Sequence, residues 1–305
     1  MSTYNGEKYI VEQMDSLRDQ TREIDEVLIY DDVSKDNTVS LIKKYISENN
    51  LDNWQLNINS HNLGWEKNFS QGIQKAKGDI IFTCDQDDIW HLDKIEKMTI
   101  AFEDNPDIVL LASNYHSFGS SKNCSMPIKL EYSFSKNGIS KVKFNNHYYW
   151  NVRPGCVMAF SKKVMVPVYK ILCGESPHDS ILWTIATLMQ GYYIIDEPLI
   201  EYRRTGNAFS NSSHGFHHNY KYIVDLIKRT YRINNWYLNS EFYDKKMSNI
   251  VKDCSEWCKL RYDLICNGKL KSWFKVFKYK NYYITKKQYF GDLYYFLHYI
   301  MNKNN

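Results

Sequence analysis

Three carboxylates in four positions, Asp85-Gln86-Asp87-Asp88, follow directly on the apolar run Ile80-Ile81-Phe82-Thr83-Cys84. A β-strand that ends in acids delivers them to the carboxyl edge of a sheet, where open α/β sheets bind their ligands. Carboxylates crowded in this way repel one another unless a cation lies among them. The chemistry they suit is holding a hard divalent metal, Mg2+ or Mn2+, through oxygen. A cation so held can neutralise a diphosphate. A second acidic pair, Asp31-Asp32, closes the run Val27-Leu28-Ile29-Tyr30, which places two acid clusters at one edge of the sheet. A third segment, Ser176-Pro177-His178-Asp179, opens a helical stretch.

The elements that must position these residues are legible as alternating patterns. Helical spacing occurs in Tyr9, Ile10, Met14 and Leu17, in Leu41, Ile42, Tyr45 and Ile46, and in Phe69, Gly72, Ile73 and Ala76. Between them lie strand-like runs at 27–30, 55–58, 80–83 and 108–111. This alternation predicts an α/β fold with a mostly parallel central sheet. Residues 114–150 have little periodicity and read as loops or irregular strands leading to Gly155-Cys156-Val157-Met158-Ala159-Phe160. A helix is predicted over roughly 180–190, then a strand at Tyr192-Tyr193-Ile194-Ile195 ahead of Asp196-Glu197-Pro198. From about Tyr220 the spacing is helical, with a break at Asn267-Gly268.

At 305 residues the chain can bury a full core and has room for an appendage. No run of about twenty apolar residues exists to span a bilayer as a helix, and the first six residues lack the features of a secretory signal. The expected location is therefore the cytosol. Seven scattered cysteines form no zinc or disulfide framework. The net charge of +4 hides a division: residues 1–210 hold 22 Lys and Arg against 28 Asp and Glu, whereas residues 211–305 hold 17 against 7. Two parts with different partners are expected, a first domain over 1–210 and a helical, basic and aromatic region over 211–305.

The segments, taken in order, resemble family 2 glycosyltransferases of the GT-A fold, and among them the bacterial rhamnosyltransferase-like branch. The matching residues are Ser2 to Glu7, Asp31 to Thr38, Asn62-Leu63-Gly64 with Asn68, Asp85 to Trp90, Gly155 to Phe160, His178-Asp179 and Glu197 to Arg203. The resemblance covers about residues 1–210. It implies a nucleotide-sugar-binding domain and an inverting sugar transfer. Ser2, Thr3 and Tyr4 would grip base and ribose, although a helix cap with an exposed tyrosine is the alternative. Asp32 would accept from the N–H of a pyrimidine, with Asn62 and Gly64 beside the nucleotide; Asp31 reads as turn chemistry.

By the same resemblance Asp87 would hold the metal and Asp85 the ribose or a metal-bound water. Asp88 either binds acceptor or caps the next turn. Trp90 either offers an aromatic face to a sugar or packs in the core. Asp179 would be the general base, removing the acceptor hydroxyl's proton, while the same residues also read as a capping box with proline at the first helical position. His178 would position the loop or contact the acceptor side.

Two departures from the family pattern stand out. Where the family has Gln-His-Gly-Asn, this chain has Arg204-Thr205-Gly206-Asn207; Arg203 and Arg204 would then bind phosphate oxygens directly. The apolar strand that normally precedes Ser-Thr-Tyr-Asn is replaced by Met1 alone, so a truncated or misplaced start is expected.

Residues 269–305 interleave lysines with Tyr, Trp and Phe. Three readings are open: attachment to an anionic membrane surface, nucleic-acid binding, which nothing in residues 1–210 supports, or a helical appendage with solvated lysines. The expected activity is transfer of a sugar, L-rhamnose from dTDP-rhamnose or otherwise a hexose from a UDP donor, to a bacterial surface polysaccharide or lipid-linked glycan. A nucleotide-sugar-binding or scaffold protein without turnover is the rival.

Overall fold

The computed structural model describes residues 1–119, 138–150, 153–172, 177–204 and 216–303. Thr205 to Asn207 and Ser176, singled out above, lie outside the described residues. The chain divides into two compact units, residues 1–143 with 151–211, and residues 144–150 with 212–305. The short stretch 144–150 thus clusters with the second unit.

In the first unit, a parallel three-stranded sheet has the order β1 (Ser2–Thr3), β2 (Val27–Asp31), β3 (Trp54–Ile58). Its strands are connected through α1 (Ile10–Arg18) and α2 (Thr38–Glu48), which bury Ile10, Met14 and Leu17 and, on α2, Ile42 and Tyr45. The spacing of those apolar positions is the reason these segments are helices, since it gives each one a single stripe to pack on the sheet. The helix α3 (Trp65–Lys75) then leads to β4 (Ile80–Phe82), the strand whose end carries the acids.

A mixed sheet follows, built from β4, β5 (Ile89–Trp90), β6 (Leu110–Gly119), β7 (Ile139–Lys141), β8 (Met158–Ser161) and β9 (Tyr192–Arg204). Its order is β4-β8-β6-β9-β5, with β7 also on β9. The β6 and β9 pair is parallel and β8 runs antiparallel to both of its neighbours. The helices α4 (Lys94–Asp104), α5 (Lys162–Leu172) and α6 (His178–Leu188) belong to this unit. Met98, Ala101, Ile108, Leu111, Ala159, Ile195 and Leu199 form a buried cluster between α4 and the sheet. Beside Met1, between β2 and β4, lies a cavity of about 420 Å³ lined by both polar and apolar groups.

The second unit is helical: α7 (Phe216–Leu238), α8 (Lys245–Ile265), α9 (Lys271–Val276), a 3-10 turn (Phe277–Tyr282) and α10 (Lys286–Lys303). Gly268 takes φ +65° between α8 and α9, a left-handed conformation in which glycine has no steric cost. Inside the unit, Arg261 and Asp292 form a buried two-point ion pair at 2.7 Å, joined by the Tyr283 hydroxyl at 2.5 Å. No described helix is long and apolar enough to cross a membrane.

Candidate active site

After β4 the chain passes Thr83 and Cys84, turns through Asp85–Asp88 and enters β5 at Ile89. Carboxylate oxygens of Asp85 and Asp88 and the Cys156 Sγ all lie within 4.8 Å of one another. Burial pushes the Asp85 carboxyl well above the usual carboxylate range, and the charges of Asp88, Asp87 and Asp179 push it further. Burial and Asp87 raise Asp88 to about 7. Asp87 is raised by burial, with Arg203 opposing. Four carboxyl groups from two segments about ninety residues apart therefore share one field. Such a set is costly to ionise without a cation.

Three side chains hold the acid loop. Gln86 accepts from the Tyr4 N–H at 2.8 Å and donates back to the Tyr4 carbonyl at 3.0 Å, as a strand neighbour would. Gly6 makes room for it, because a Cβ there would sit 2.4 Å from Gln86 Oε1. Arg203 donates its backbone N–H to Asp88 Oδ1 at 2.9 Å and its Nε to the Asp87 carbonyl at 2.7 Å. Its guanidinium also pairs with Glu12 and lies near the rings of Tyr9 and Phe118, 4.7 and 4.4 Å from their centroids. Lys94 is fully buried; its Nζ donates to the Cys156 carbonyl at 2.9 Å and lies 3.9 Å from the Trp90 ring centroid. Burial lowers the Lys94 ammonium to about 8.

Beside the end of β2, the Asp32 carboxylate accepts the backbone N–H groups of Leu63 at 2.8 Å and Gly64 at 2.9 Å, and the Asn59 amide at 2.8 Å. Asn62 donates to the Asp32 carbonyl at 3.0 Å. Gly64 adopts φ +84° at the start of α3, which aims its N–H at the carboxylate. Asn68 joins this cluster to β1 through Ser2 Oγ at 2.7 Å, and the Ser2 N–H meets the Cys84 carbonyl at 3.3 Å. Asp31 is wholly internal, bonded by Thr3 Oγ1 and by the backbone N–H and hydroxyl of Ser34.

Asp179 lies in the first turn of α6, where the helix dipole favours a carboxylate. Its Oδ1 accepts the Ser180 N–H at 2.6 Å. His178 is buried, stacked on Phe69 at 4.1 Å and edge-on to Trp65 at 6.2 Å. Neither ring nitrogen has a hydrogen-bond partner among the described residues. Gly155 lets the backbone come close: a Cβ there would lie 2.6 Å from His178 Nε2 and 3.3 Å from the Asp179 Cβ. Thr83 Oγ1 donates to the Gly155 carbonyl at 2.5 Å, tying this segment to the strand that bears the acids.

Burial lowers His178 from 6.5 to about 4. Between those values the unfolded chain binds a proton that the folded one refuses, so stability contributed by the neutral ring is complete above pH 6.5 and is lost as pH falls towards 4. Urea midpoints measured from pH 7 to 4 should show His178→Leu losing about 3 kcal/mol less stability than wild type over this range.

A family model described as glycosyl transferase family 2 matches residues 1–165, more than half of the chain. The chain belongs to this family. Among curated proteins, this glycosyltransferase is 26% identical over 287 residues to the dTDP-rhamnosyl transferase RfbG of Shigella flexneri, covering 86% of this chain and 94% of the relative. It is 32% identical over 111 residues to the poly(ribitol-phosphate) beta-N-acetylglucosaminyltransferase TarS of Staphylococcus aureus, covering 36% of this chain and 19% of that protein. The structure of S. aureus TarS residues 1–349 with UDP-GlcNAc superposes with a TM-score of 0.61 at 18% identity, over 88% of this chain and 72% of that one. A mannosyltransferase from Pyrobaculum calidifontis, solved with GDP-Man and Mn2+, gives 0.52 at 14% identity over 97% and 83%. These likenesses show the GT-A fold.

In this glycosyltransferase the structure gathers Asp85, Asp87, Asp88 and Asp179, and sets Ser2, Thr3 and Tyr4 beside them through the Cys84 and Gln86 contacts. For several side chains burial and hydrogen bonding favour one of the alternatives left open by the sequence. Asp88 is fully buried with Oδ1 on the Arg203 N–H, so it supports the loop and does not face an acceptor. Trp90, 3% exposed, packs beneath Lys94 and offers no ring face to a sugar. His178 is equally enclosed, 3% exposed, with Gly155 packed against its ring. Arg203 is committed to the acid loop, whereas Arg204 is half-buried and its Nε has no hydrogen-bond partner among the described residues. Asn62 and the Gly64 N–H serve Asp32. Asp87, expected as metal ligand, is not in the cluster formed by Asp85, Asp88 and Cys156. Sequence reasoning missed Lys94 and gave no role to Gln86, Gly6 and Gly155, which lie inside matching segments. No local signal marks Lys94, since a lysine at the start of a helix is ordinarily solvated.

Proposed function

We propose that this glycosyltransferase inverts the anomeric centre of a nucleoside diphosphate sugar, with Asp179 as general base. The observation that carries the reading is geometric: Gly155 packs against Asp179, where a Cβ would lie 3.3 Å from the Asp179 Cβ, and the next residue, Cys156, has its Sγ within 4.8 Å of Asp85 and Asp88 carboxylate oxygens. A base from one segment and metal-type acids from another meet where attack and departure must occur on opposite faces of one sugar. The donor set suits a divalent cation: hard oxygens of Asp85 and of Asp88, whose buried Oδ2 has no hydrogen-bond partner among the described residues, with Asp87 beside them in the same loop. When bound, Mg2+ or Mn2+ supplies Lewis-acid neutralisation of the leaving diphosphate. Ser2, Thr3 and Tyr4 position base and ribose, and Asp32 keeps one acceptor site free beyond its three internal bonds. Asp179, oriented by the Ser180 N–H, takes the acceptor proton. His178 and Gly155 fix where it stands.

RfbG, which spans nearly the same length, supports dTDP-L-rhamnose as the favoured donor, with UDP-hexoses next, and a surface polysaccharide or lipid-linked glycan as acceptor. Nucleoside diphosphate release across a donor panel, with Mg2+, Mn2+ or chelator, tests this reading; binding of every donor without release would favour the scaffold alternative. Gly155→Ala should lower kcat about 10²-fold at unchanged donor affinity, because a Cβ against His178 shifts the base.

The second unit gives the acceptor reading a surface to work on. Phe290, Tyr294, Leu297 and Met301 line one exposed face of α10, between 51 and 67% accessible, and Phe274 and Phe277 are 66 and 54% exposed. Exposed Lys271, Lys275, Lys278, Lys280, Lys286 and Lys287 accompany them, and the only acid after residue 268 is the buried Asp292. Apolar side chains with cationic flanks suit an anionic lipid surface, each lysine contributing about 1 kcal/mol. The full chain should float with anionic liposomes, and Phe290→Ala with Leu297→Ala and Met301→Ala should abolish flotation. Equal flotation of the two proteins would remove the membrane from the account.

A further inference from the structure

We propose that His91, His116 and Glu201 form a second metal site, selective for a borderline cation of the Zn2+ class and separate from the acid loop. The sheet register builds it. In the antiparallel β5–β9 pair, Ile89 lies opposite Glu201 and Trp90 opposite Ile200, and the ladder continues through the His91 N–H to the Leu199 carbonyl at 3.1 Å. His91, two residues beyond Ile89, therefore shares a sheet face with Glu201. On the other side of β9, His116 of β6 lies directly opposite Glu201. Three neighbouring strands thus present two imidazoles and one carboxylate on a single face.

Both imidazoles already address one oxygen. Glu201 Oε1 is 2.9 Å from His91 Nε2 and 3.2 Å from His116 Nδ1, and the three donor atoms all fall within 4.8 Å. Ligands on tetrahedral Zn2+, with bonds of about 2.0–2.1 Å, stand about 3.3 Å apart. The two measured spacings are within a few tenths of an ångström of that value. Binding would put the cation on the two ring nitrogens that now face Glu201, each neutral imidazole carrying its proton on the opposite nitrogen. The side chains are 32, 58 and 33% exposed for His91, His116 and Glu201. A cation can therefore enter, and water can complete its coordination.

Ligand type separates this site from the first. Imidazole nitrogen suits Zn2+, whereas the carboxylates of the loop suit Mg2+ and Mn2+. The consequence is mechanical. A cation here would pin β5, β9 and β6 together two residues before Arg203, whose backbone and guanidinium hold Asp88 and Asp87.

The test is calorimetric titration of the whole protein with ZnCl2 in excess MgCl2. Wild type and Asp85→Asn should each take up one equivalent that the His91→Gln/His116→Gln double variant binds at least about tenfold more weakly or not at all. Unchanged stoichiometry and affinity in the double variant would overturn the proposal. Zinc-edge X-ray absorption on the wild-type complex gives an independent readout should that variant fold poorly. Two imidazole ligands are expected, and a shell of oxygen alone or one containing sulfur would refute the site.

Discussion

Replacing Asp179 by Asn is expected to lower kcat by about 10³-fold while donor affinity changes less than about twofold. A positioned general base contributes about 10²–10⁴ to a displacement of this kind, and the amide keeps the size of the carboxylate without its basicity. Asn can still accept the Ser180 N–H that Asp179 accepts at 2.6 Å, so the start of α6 should stand and the loss should be chemical. The melting temperature should move little, and any change should be upward, because Asp179 adds to the repulsion at Asp85. The capping-box reading predicts the opposite pattern: stability lost and kcat largely kept. Ser176, the N-cap of that reading, lies outside the described residues. Single-turnover kinetics with equilibrium donor binding distinguishes the two.

Asp85→Asn should act with opposite signs on stability and on activity. Desolvation and three neighbouring carboxylates oppose ionisation of Asp85, so the neutral amide should stabilise the metal-free protein by about 1–2 kcal/mol. The same substitution should abolish the rise in melting temperature produced by Mn2+ and reduce turnover by about 10³-fold or more. If Asp85 only caps a turn, the variant should instead lose stability and keep its response to Mn2+. Thermal scans at fixed pH, with and without Mn2+, read both signs in one experiment.

The sequence exposed the parts of this site that act through local pattern. Asp85 to Asp88 follow a strand-like apolar run, and Asp179 sits where a proline opens a helix; both signals are contained within a few residues. The spacing of Ile10, Met14 and Leu17, or of Ile42 and Tyr45, likewise marks the buried stripes of α1 and α2. The strand ending at Ile195, by contrast, extends in the structure as β9 to Arg204 straight through Pro198. Register shifts between Ala112 and Asn114 and between Asn114 and His116 absorb the disturbance. Helix α4 escaped the reading, although Ile95, Met98 and Ala101 carry its buried face.

What stayed hidden were contacts made across long stretches of chain. Gln86 meets Tyr4 across 82 residues and Arg203 meets Asp88 across 115. Types alone do not tell a phosphate-binding arginine from one that braces a loop. The roles of Trp90 and Asp88 turned on burial, which depends on the packing of Lys94, an ammonium that local sequence would place in water. In each case the type was noticed and its surroundings were decided elsewhere in the fold.

The central claim is that acids from separate segments surround one cation-bound diphosphate, and crystals soaked with Mn2+ and a nucleoside diphosphate test it most directly. The expected result is a single strong manganese anomalous peak within bonding distance of an Asp85 carboxylate oxygen and of a diphosphate oxygen, with the nucleobase near Asp32, and with Asp179 on the side of the cleft away from the departing diphosphate. A nucleotide bound away from Asp32 and Asp179, or manganese that ignores Asp85 while diphosphate is present, would contradict it.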